Sequence, residues 1–104
     1  MPHITVRGIP KEELKQMAAP IKQTVVDASG ANAEYVKVFY SPVCRVDAPE
    51  EVAVDVYWMH RPQEMCDRVA EGITALLKKQ GKGFVQVTFT EFPGNLFYED
   101  NVHY

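Results

Sequence analysis

One pattern of helix start and stop signals occurs twice in this chain of 104 residues and constrains its fold more than any other feature. Pro10 precedes a helical pattern that ends at Gly30, and Pro62 precedes a second pattern that ends at Gly81. The two spacings are 20 and 19 positions, and the two prolines lie 52 positions apart, half of the chain length. Proline at the first helical position and glycine just past the end are established helix boundaries. The sequence therefore predicts two copies of one unit.

Each predicted helix has one apolar face, built from residues three and four positions apart. In the first helix Pro20 lies inside this pattern, where the missing N–H and the ring clash usually cost about 3 kcal/mol. We therefore expect a kink or a local break between Gln16 and Pro20. The apolar faces consist of Leu14, Met17, Ile21, Val25 and Ala28 in the first helix, and of Cys66, Val69, Ile73, Leu76 and Leu77 in the second.

Four segments of alternating apolar and polar residues flank the two helices and predict strands. One face of these strands presents valines to the helices, and Trp58 shares that face, which favours a place in the core. The opposite face mixes aromatic and polar residues, and surfaces of this kind commonly pack against another subunit. We interpret that face as an oligomer contact. The predicted strands are His3–Arg7, Tyr35–Tyr40, Val52–Trp58 and Phe84–Phe89.

Two strand–helix–strand units with right-handed crossovers predict an α+β fold, a four-stranded mixed sheet with both helices on one face. We expect a single domain over residues 1–104, with pseudo-repeats at about 1–41 and 52–91. Residues 41–51 contain two prolines and a run of mixed charge, which is typical of a loop. The C-terminal tail, residues 93–104, is rich in aromatic residues, so we expect it to dock on the rest of the protein.

Composition argues against several classes of function. The formal net charge is −3, whereas nucleic-acid binders normally carry an excess of basic residues. No apolar run reaches the roughly 20 residues that a membrane span needs, and the N-terminus lacks the pattern of a signal peptide. Cys44 and Cys66 match no metal or CxxC spacing. We therefore expect no metal, no cofactor, no nucleic-acid or membrane partner, and a location in the reducing cytoplasm.

A duplicated strand–helix–strand unit with proline directly after the initiator methionine resembles the tautomerase superfamily, which includes 4-oxalocrotonate tautomerase and macrophage migration inhibitory factor (MIF). The resemblance covers nearly the whole chain, and two of its segments look most like a small uncharacterised bacterial branch without an assigned substrate. It implies the tautomerase/MIF fold and a homotrimer whose sheets enclose a central barrel, with a pocket at each subunit boundary. The most specific segments are Met1–Ile4, Arg7–Pro10, Trp58–Glu64 and Phe97–Tyr104.

The resemblance implies a keto–enol proton transfer on a small enolisable keto acid, with Pro2 as the base. A secondary amine whose pKa is lowered by burial or by nearby cations can serve as a base near neutral pH. This role requires removal of Met1, because the nitrogen of Pro2 is otherwise a tertiary amide without a basic lone pair. The alternative interpretation of Pro2 is the start of an edge strand, where its missing N–H costs nothing.

The resemblance also implies substrate-binding residues. Lys37 lies where 4-oxalocrotonate tautomerase carries a substrate-binding arginine, and it offers a point charge without a two-pronged geometry. The alternative is that Lys37 pairs with Asp55 across the sheet. Arg61 precedes the second helix and either holds an anion together with the helix N-terminus or is a solvated turn residue. Tyr98 lies in the tail, which the resemblance places near the pocket of a neighbouring subunit.

Two functions of different classes follow from these residues. The first is a trimeric tautomerase-like enzyme whose partners are a small-molecule substrate and copies of itself. The second is a non-catalytic homotrimeric ligand-binding or scaffold module of the same fold, which the lysine in place of arginine favours. A ferredoxin-like RNA-binding fold also contains two strand–helix–strand units, but the acidic composition argues against it.

Overall fold

The chain forms two α-helices, a four-stranded sheet and a small two-stranded sheet, in a computed structural model that describes residues 1–104. Each half contributes a strand, a helix and a second strand, and a hairpin follows them at the C-terminus. The elements are β1 (His3–Arg7), α1 (Lys11–Ser29), β2 (Lys37–Tyr40), β3 (Val52–Met59), α2 (Gln63–Lys79), β4 (Val85–Phe92), β5 (Tyr98–Glu99) and β6 (Val102–His103).

Both helices begin and end where the proline and glycine signals place them. α1 starts directly after Pro10 and ends before Gly30, which has a φ of 73° and donates its N–H to the Val26 carbonyl at 2.8 Å. α2 starts directly after Pro62 and ends shortly before Gly81, whose φ is 86°. Glycine favours these left-handed conformations because it has no Cβ. Neither helix combines the length and the apolar content that a membrane crossing requires.

The break expected at Pro20 is absent, because α1 is continuous from its first residue to its last. Pro20 removes one N–H donor, and the carbonyl left without it belongs to Gln16. Both residues are exposed, so water can satisfy that carbonyl. The Thr24 hydroxyl also donates to the Pro20 carbonyl at 2.9 Å. The expectation of a local break was wrong because the proline lies on the solvent side of the helix, and a kink of the helix axis there stays a prediction.

The four-stranded sheet has the order β2-β1-β3-β4 and is mixed. β1 pairs with β2 in parallel, β3 pairs with β4 in parallel, and the two halves meet at the antiparallel pair of β1 and β3. Each parallel pair is connected by one helix, as a strand–helix–strand unit requires. The predicted fold class, an α+β fold built from two such units, is confirmed.

The core lies between the helices and one face of the sheet. Val54, Val56 and Trp58 of β3 are buried there with the apolar faces of both helices, as the alternation predicts. The helices approach closely because Gly72 has no side chain, and a Cβ there would lie 2.7 Å from the methyl group of Thr24. The opposite face of the sheet is covered by no helix, and several of its residues are exposed: Lys37, Phe39, Tyr57, Gln86 and Thr88.

Three strands have boundaries that differ from the sequence expectations. Residues 33–35 form a short 3-10 turn instead of the start of β2, because the Asn32 side chain accepts a hydrogen bond from the Glu34 N–H at 3.0 Å. β3 extends by one residue to Met59. β4 begins and ends later than expected and reaches Phe92, because its pairing with β3 continues to the Met59–Phe92 pair.

The C-terminal tail folds back against the sheet as a hairpin. The two residues of its turn, Asp100 and Asn101, have φ values of 48° and 66°, which these residue types tolerate better than most. Phe97 packs against Phe92 at a centroid distance of 5.4 Å and against His3 of β1 at 6.1 Å. The tail therefore lies beside the N-terminal end of β1.

Candidate active site

Pro2 lies at the buried start of the pairing between β1 and β2. Its carbonyl accepts a hydrogen bond from the Lys37 N–H at 3.1 Å, next to the His3–Lys37 pair of the sheet. Less than 2% of Pro2 is exposed, and Met1 before it is 8% exposed. While Met1 is attached, the basic nitrogen at this end of the chain is the α-amine of Met1. The hydrogen bond fixes the backbone of Lys37 beside that end.

Burial lowers the pKa of the Met1 α-amine below its ordinary range, because the protonated form loses hydration. Lys37 and Arg61 lower the pKa further through their positive charges, and Glu99 opposes them through its negative charge. Burial also lowers the pKa of His3, and Lys37 and the α-amine lower it further. The structure thus brings two of the sequence-predicted cations to the N-terminus of the chain.

Lys37 forms no ion pair, and the predicted alternative partner is wrong. Asp55 lies opposite Thr5 of β1, whereas Lys37 lies opposite His3, so the two charges are offset along the sheet. The Asp55 carboxylate instead accepts a hydrogen bond from the Thr90 hydroxyl at 3.0 Å. The register of β1 with its two neighbours leaves the Lys37 ammonium without a carboxylate partner.

Arg61 is held in place by several contacts at the end of β3. Its Nη1 donates to the carbonyls of Met59 and His60 at 3.0 and 3.1 Å. Its guanidinium carbon lies 5.4 Å from the centre of the Trp58 ring, within the range of a cation–π interaction. Its backbone N–H donates to Glu91 at 2.9 Å. These contacts leave Nε and Nη2 as the donors that are not already bonded.

Tyr98 is exposed, and within one chain it does not join this cluster. Its ring packs edge-on against His103 at 5.6 Å, on the hairpin itself. The neighbouring Phe97 is the tail residue whose ring contacts His3. Adjacent residues of an extended segment point in opposite directions, so the two rings lie on different sides of the tail.

Glu99 was not anticipated from the sequence, although one signal could have found it. The tail places Glu99 close enough to influence both the Met1 α-amine and His3. The Tyr104 hydroxyl donates a hydrogen bond to its carboxylate, which also raises the pKa of Tyr104. The signal is the pair Asp100–Asn101, which is typical of a two-residue hairpin turn and predicts that the chain folds back here.

The cavities of the single chain lie away from this cluster. One of about 290 Å³ lies on the open face of the sheet beside Arg7 and Asp55, and another of about 330 Å³ lies beside the loop that follows Tyr40. No cavity is lined by Pro2, Lys37 or Arg61. A pocket around Pro2 therefore requires the departure of Met1, the wall of a neighbouring subunit, or both.

The chain has the tautomerase/MIF fold. Its two strand–helix–strand halves are joined through an antiparallel pair of strands, and a proline lies directly before β1. Macrophage migration inhibitory factor from Toxoplasma gondii has a TM-score of 0.79 at 14% identity, over 98% of this chain and 99% of that one. A fused 4-OT, an asymmetric trimer, has a TM-score of 0.75 at 16% identity, over 97% and 94%. At these identities the likeness establishes the fold.

Within this fold the chain belongs to the family described as a domain of unknown function, DUF1904, whose sequence profile matches residues 1–103. The structure of a DUF1904 domain from Sebaldella termitidis ATCC 33386 covers 100% of both chains, with a TM-score of 0.88 and 30% identity. Among curated proteins, none matches the sequence. The predicted likeness to the tautomerase superfamily is confirmed for the fold.

Proposed function

We propose that this protein is a tautomerase-like enzyme that transfers a proton between carbon and oxygen in a small enolisable keto acid. The observation that carries the proposal is the convergence of Lys37 and Arg61 on a buried N-terminal nitrogen. After the loss of Met1, the N-terminal nitrogen is the secondary amine of Pro2. We expect the burial and the two cations that disfavour the protonated Met1 amine, against the opposing charge of Glu99, to act on the Pro2 amine as well and to make a neutral base available near neutral pH.

Each residue of the cluster has a distinct task in this reaction. The Pro2 amine carries the proton between the enol oxygen and the adjacent carbon. Lys37 and Arg61 hold the carboxylate and the enolate oxygen, whose negative charge grows in the transition state. Arg61 meets the ligand through Nε and Nη2, because Nη1 is already bonded to two backbone carbonyls.

The proposed enzyme is a homotrimer. The face of the sheet opposite the helices exposes Phe39 and Tyr57, two aromatic residues that burial in an interface would stabilise. The fused 4-OT with the same fold is a trimer, which supports the same assembly here. In such an assembly Tyr98, exposed on the tail, borders the pocket of a neighbouring subunit.

Both cysteines are unpaired, as in proteins of a reducing compartment, and we place the enzyme in the cytoplasm.

A non-catalytic homotrimeric ligand-binding or scaffold module is the second candidate. The burial of Met1 favours it, because a chain that keeps Met1 has an amide at Pro2 and no catalytic amine there. The absence of a cavity at Pro2 in the single chain also favours the non-catalytic module. In this function Lys37 and Arg61 bind an anion and no proton is transferred.

The deciding experiment combines N-terminal mass spectrometry with an activity assay. Protein made in its native host is first examined for the presence of Met1. Enolisation of phenylpyruvate and ketonisation of 2-hydroxymuconate are then measured for the wild type, for Pro2→Ala and for Pro20→Ala. Pro20 is exposed on α1, so its variant controls for the loss of a proline away from the site.

If the protein is the proposed enzyme, the mature chain begins at Pro2. Pro2→Ala should then lower kcat/KM by at least about a hundredfold, the usual size of a general-base contribution. Pro20→Ala should keep wild-type activity. Retention of Met1 in most molecules would exclude Pro2 as the base. Absence of turnover in the wild type would favour the binding module.

A further inference from the structure

The loop between β3 and α2, residues 60–62, is joined to β4 by one side chain. Glu91 of β4 lies opposite Trp58 in the parallel pair of β3 and β4. Its Oε2 accepts the Arg61 N–H at 2.9 Å, and its Oε1 lies 3.3 Å from Nδ1 of His60. No backbone–backbone hydrogen bond involves His60 or Arg61. Glu91 therefore supplies the hydrogen bonds that join these two residues to the neighbouring strand.

The conformation of the same loop determines where the guanidinium of Arg61 lies. Its Nη1 donates to the carbonyls of Met59 and His60, so the side chain folds back over its own backbone. The guanidinium carbon lies 5.4 Å from the centre of the Trp58 ring. Both contacts depend on the course of the backbone at Arg61, and the hydrogen bond from the Arg61 N–H to Glu91 fixes that course.

Glu91 binds the backbone of Arg61 and leaves its side chain without a carboxylate partner. No carboxylate lies within ion-pair distance of the Arg61 guanidinium. The hydrogen bond from the Arg61 N–H lowers the pKa of the Glu91 carboxyl below its ordinary range, so the acceptor is ionised at neutral pH. The carboxylate thus holds the loop while Nε and Nη2 of Arg61 keep their capacity to bind an anion.

We propose that Glu91 is a positioning residue for Arg61, because its carboxylate holds the loop in the conformation that places the guanidinium over Trp58. Its consequence for a ligand rests on the proposed function, in which Arg61 binds an oxygen of the substrate. Glu91 has two opposing effects on such an anion. Its hydrogen bond orders Arg61 before the ligand arrives and favours binding, whereas its negative charge repels the ligand. The ordering is the larger effect in this proposal.

Two substitutions separate the hydrogen bond from the charge. Glu91→Gln removes the charge and keeps a carbonyl oxygen that can accept the Arg61 N–H, whereas Glu91→Ala removes both. Glu64→Ala is the matched control, because Glu64 is an exposed acid in the first turn of α2 that accepts no hydrogen bond from the loop. The Glu91 side chain is 32% exposed, so we expect all variants to fold, and far-UV circular dichroism checks this.

The fluorescence of Trp58, the single tryptophan of the chain, reports the position of the guanidinium without any ligand. A cation over the indole ring changes its emission maximum, so Arg61→Ala should shift the emission. This shift is measured in the wild-type background and again in the Glu91→Gln, Glu91→Ala and Glu64→Ala backgrounds, so that any direct effect of the Glu91 charge on Trp58 cancels. It should be retained with glutamine at position 91 and in the Glu64→Ala background, and most of it should be lost with alanine at position 91.

Isothermal titration calorimetry with phenylpyruvate at neutral pH measures the consequence for an anion. Glu91→Ala should raise the dissociation constant by about threefold to tenfold, because a guanidinium that is no longer ordered loses part of a charged hydrogen bond. Glu91→Gln should bind at least as tightly as the wild type, because it keeps the order and removes the repulsion. Glu64→Ala should bind like the wild type. A role of Glu91 through charge alone predicts tighter binding in both Glu91 variants.

Three results would overturn the inference. They are the absence of an emission shift on Arg61→Ala in the wild-type background, an equal shift in the Glu91→Ala background, and equal dissociation constants for Glu91→Gln and Glu91→Ala. The proposed function fails separately. The expected emission pattern in a protein that neither binds nor converts phenylpyruvate keeps Glu91 as the positioning residue and counts against the enzyme. Turnover with an equal emission shift in every background has the opposite meaning.

Discussion

Replacing Gly8 with alanine tests how tightly the end of β1 is packed against the loop that precedes β3. Gly8 has a φ of 92°, and a residue with a Cβ is strained in this region by about 1–2 kcal/mol. A Cβ at this position would overlap the carbonyl oxygen of Glu51 and lie 2.9 Å from its carbonyl carbon. These are backbone atoms, so relief requires a shift of the chain that costs about 1–3 kcal/mol. Gly8→Ala should therefore lower the free energy of unfolding by about 2–5 kcal/mol.

Gly30→Ala is the matched control for this substitution. Gly30 has a φ of 73°, and no atom would lie within 4 Å of its Cβ, so the variant carries the conformational cost alone. Urea denaturation followed by circular dichroism gives both free energies of unfolding. The difference between the two variants measures the overlap at Gly8, and we expect at least about 1 kcal/mol. Equal losses in the two variants would refute the close packing of Gly8 against Glu51.

Two further predictions concern the site and the core beneath it. The pKa of the N-terminal amine should rise in Lys37→Ala, which removes a positive charge, and fall in Glu99→Gln, which removes a negative one. The pH dependence of amine acetylation by acetic anhydride measures both, and shifts of the opposite sign would contradict the arrangement of charges. Trp58→Ala should destabilise the fold by about 3–5 kcal/mol, because Trp58 is completely buried. Trp58→Phe should cost much less, because it keeps the stacking on Phe89 and removes an indole N–H that has no partner. Thermal melts of the two variants compare them, and equal losses would mean that the stacked ring contributes little.

Local chemistry made the helices predictable. Proline and glycine set the allowed backbone angles at single positions, so Pro10 and Gly30 bound α1 to within one residue. The alternation of apolar residues in β3 likewise placed Trp58 in the core. Pro20 shows the limit of such reasoning, because its effect depended on which side of the helix faces water, and the packing of α1 against α2 and the sheet decides that.

The contacts of the site depend on pairing between distant segments, which no local pattern determines. Lys37 and Asp55 both lie on the open face, but the stagger of β1 between its neighbours sets them apart. The aromatic tail was expected to dock, yet its position depends on the contact of Phe97 with His3, two residues far apart in the sequence. Glu99 joined the cluster through that contact, which explains why the sequence alone did not reveal it.

The enclosure of the first two residues has a consequence for the making of the protein. An aminopeptidase must bind the N-terminus of a chain in its own cleft. In the folded molecule the N-terminus is not accessible, because Met1 is 8% exposed and Pro2 less than 2%. The removal of Met1, which the proposed enzyme requires, would therefore have to precede the closing of β2 and β3 around β1. A molecule that folds before Met1 is removed keeps Met1. The ratio of chains with Met1 to chains without it then depends on the relative rates of excision and folding. Folded protein incubated with methionine aminopeptidase should therefore show an unchanged mass distribution.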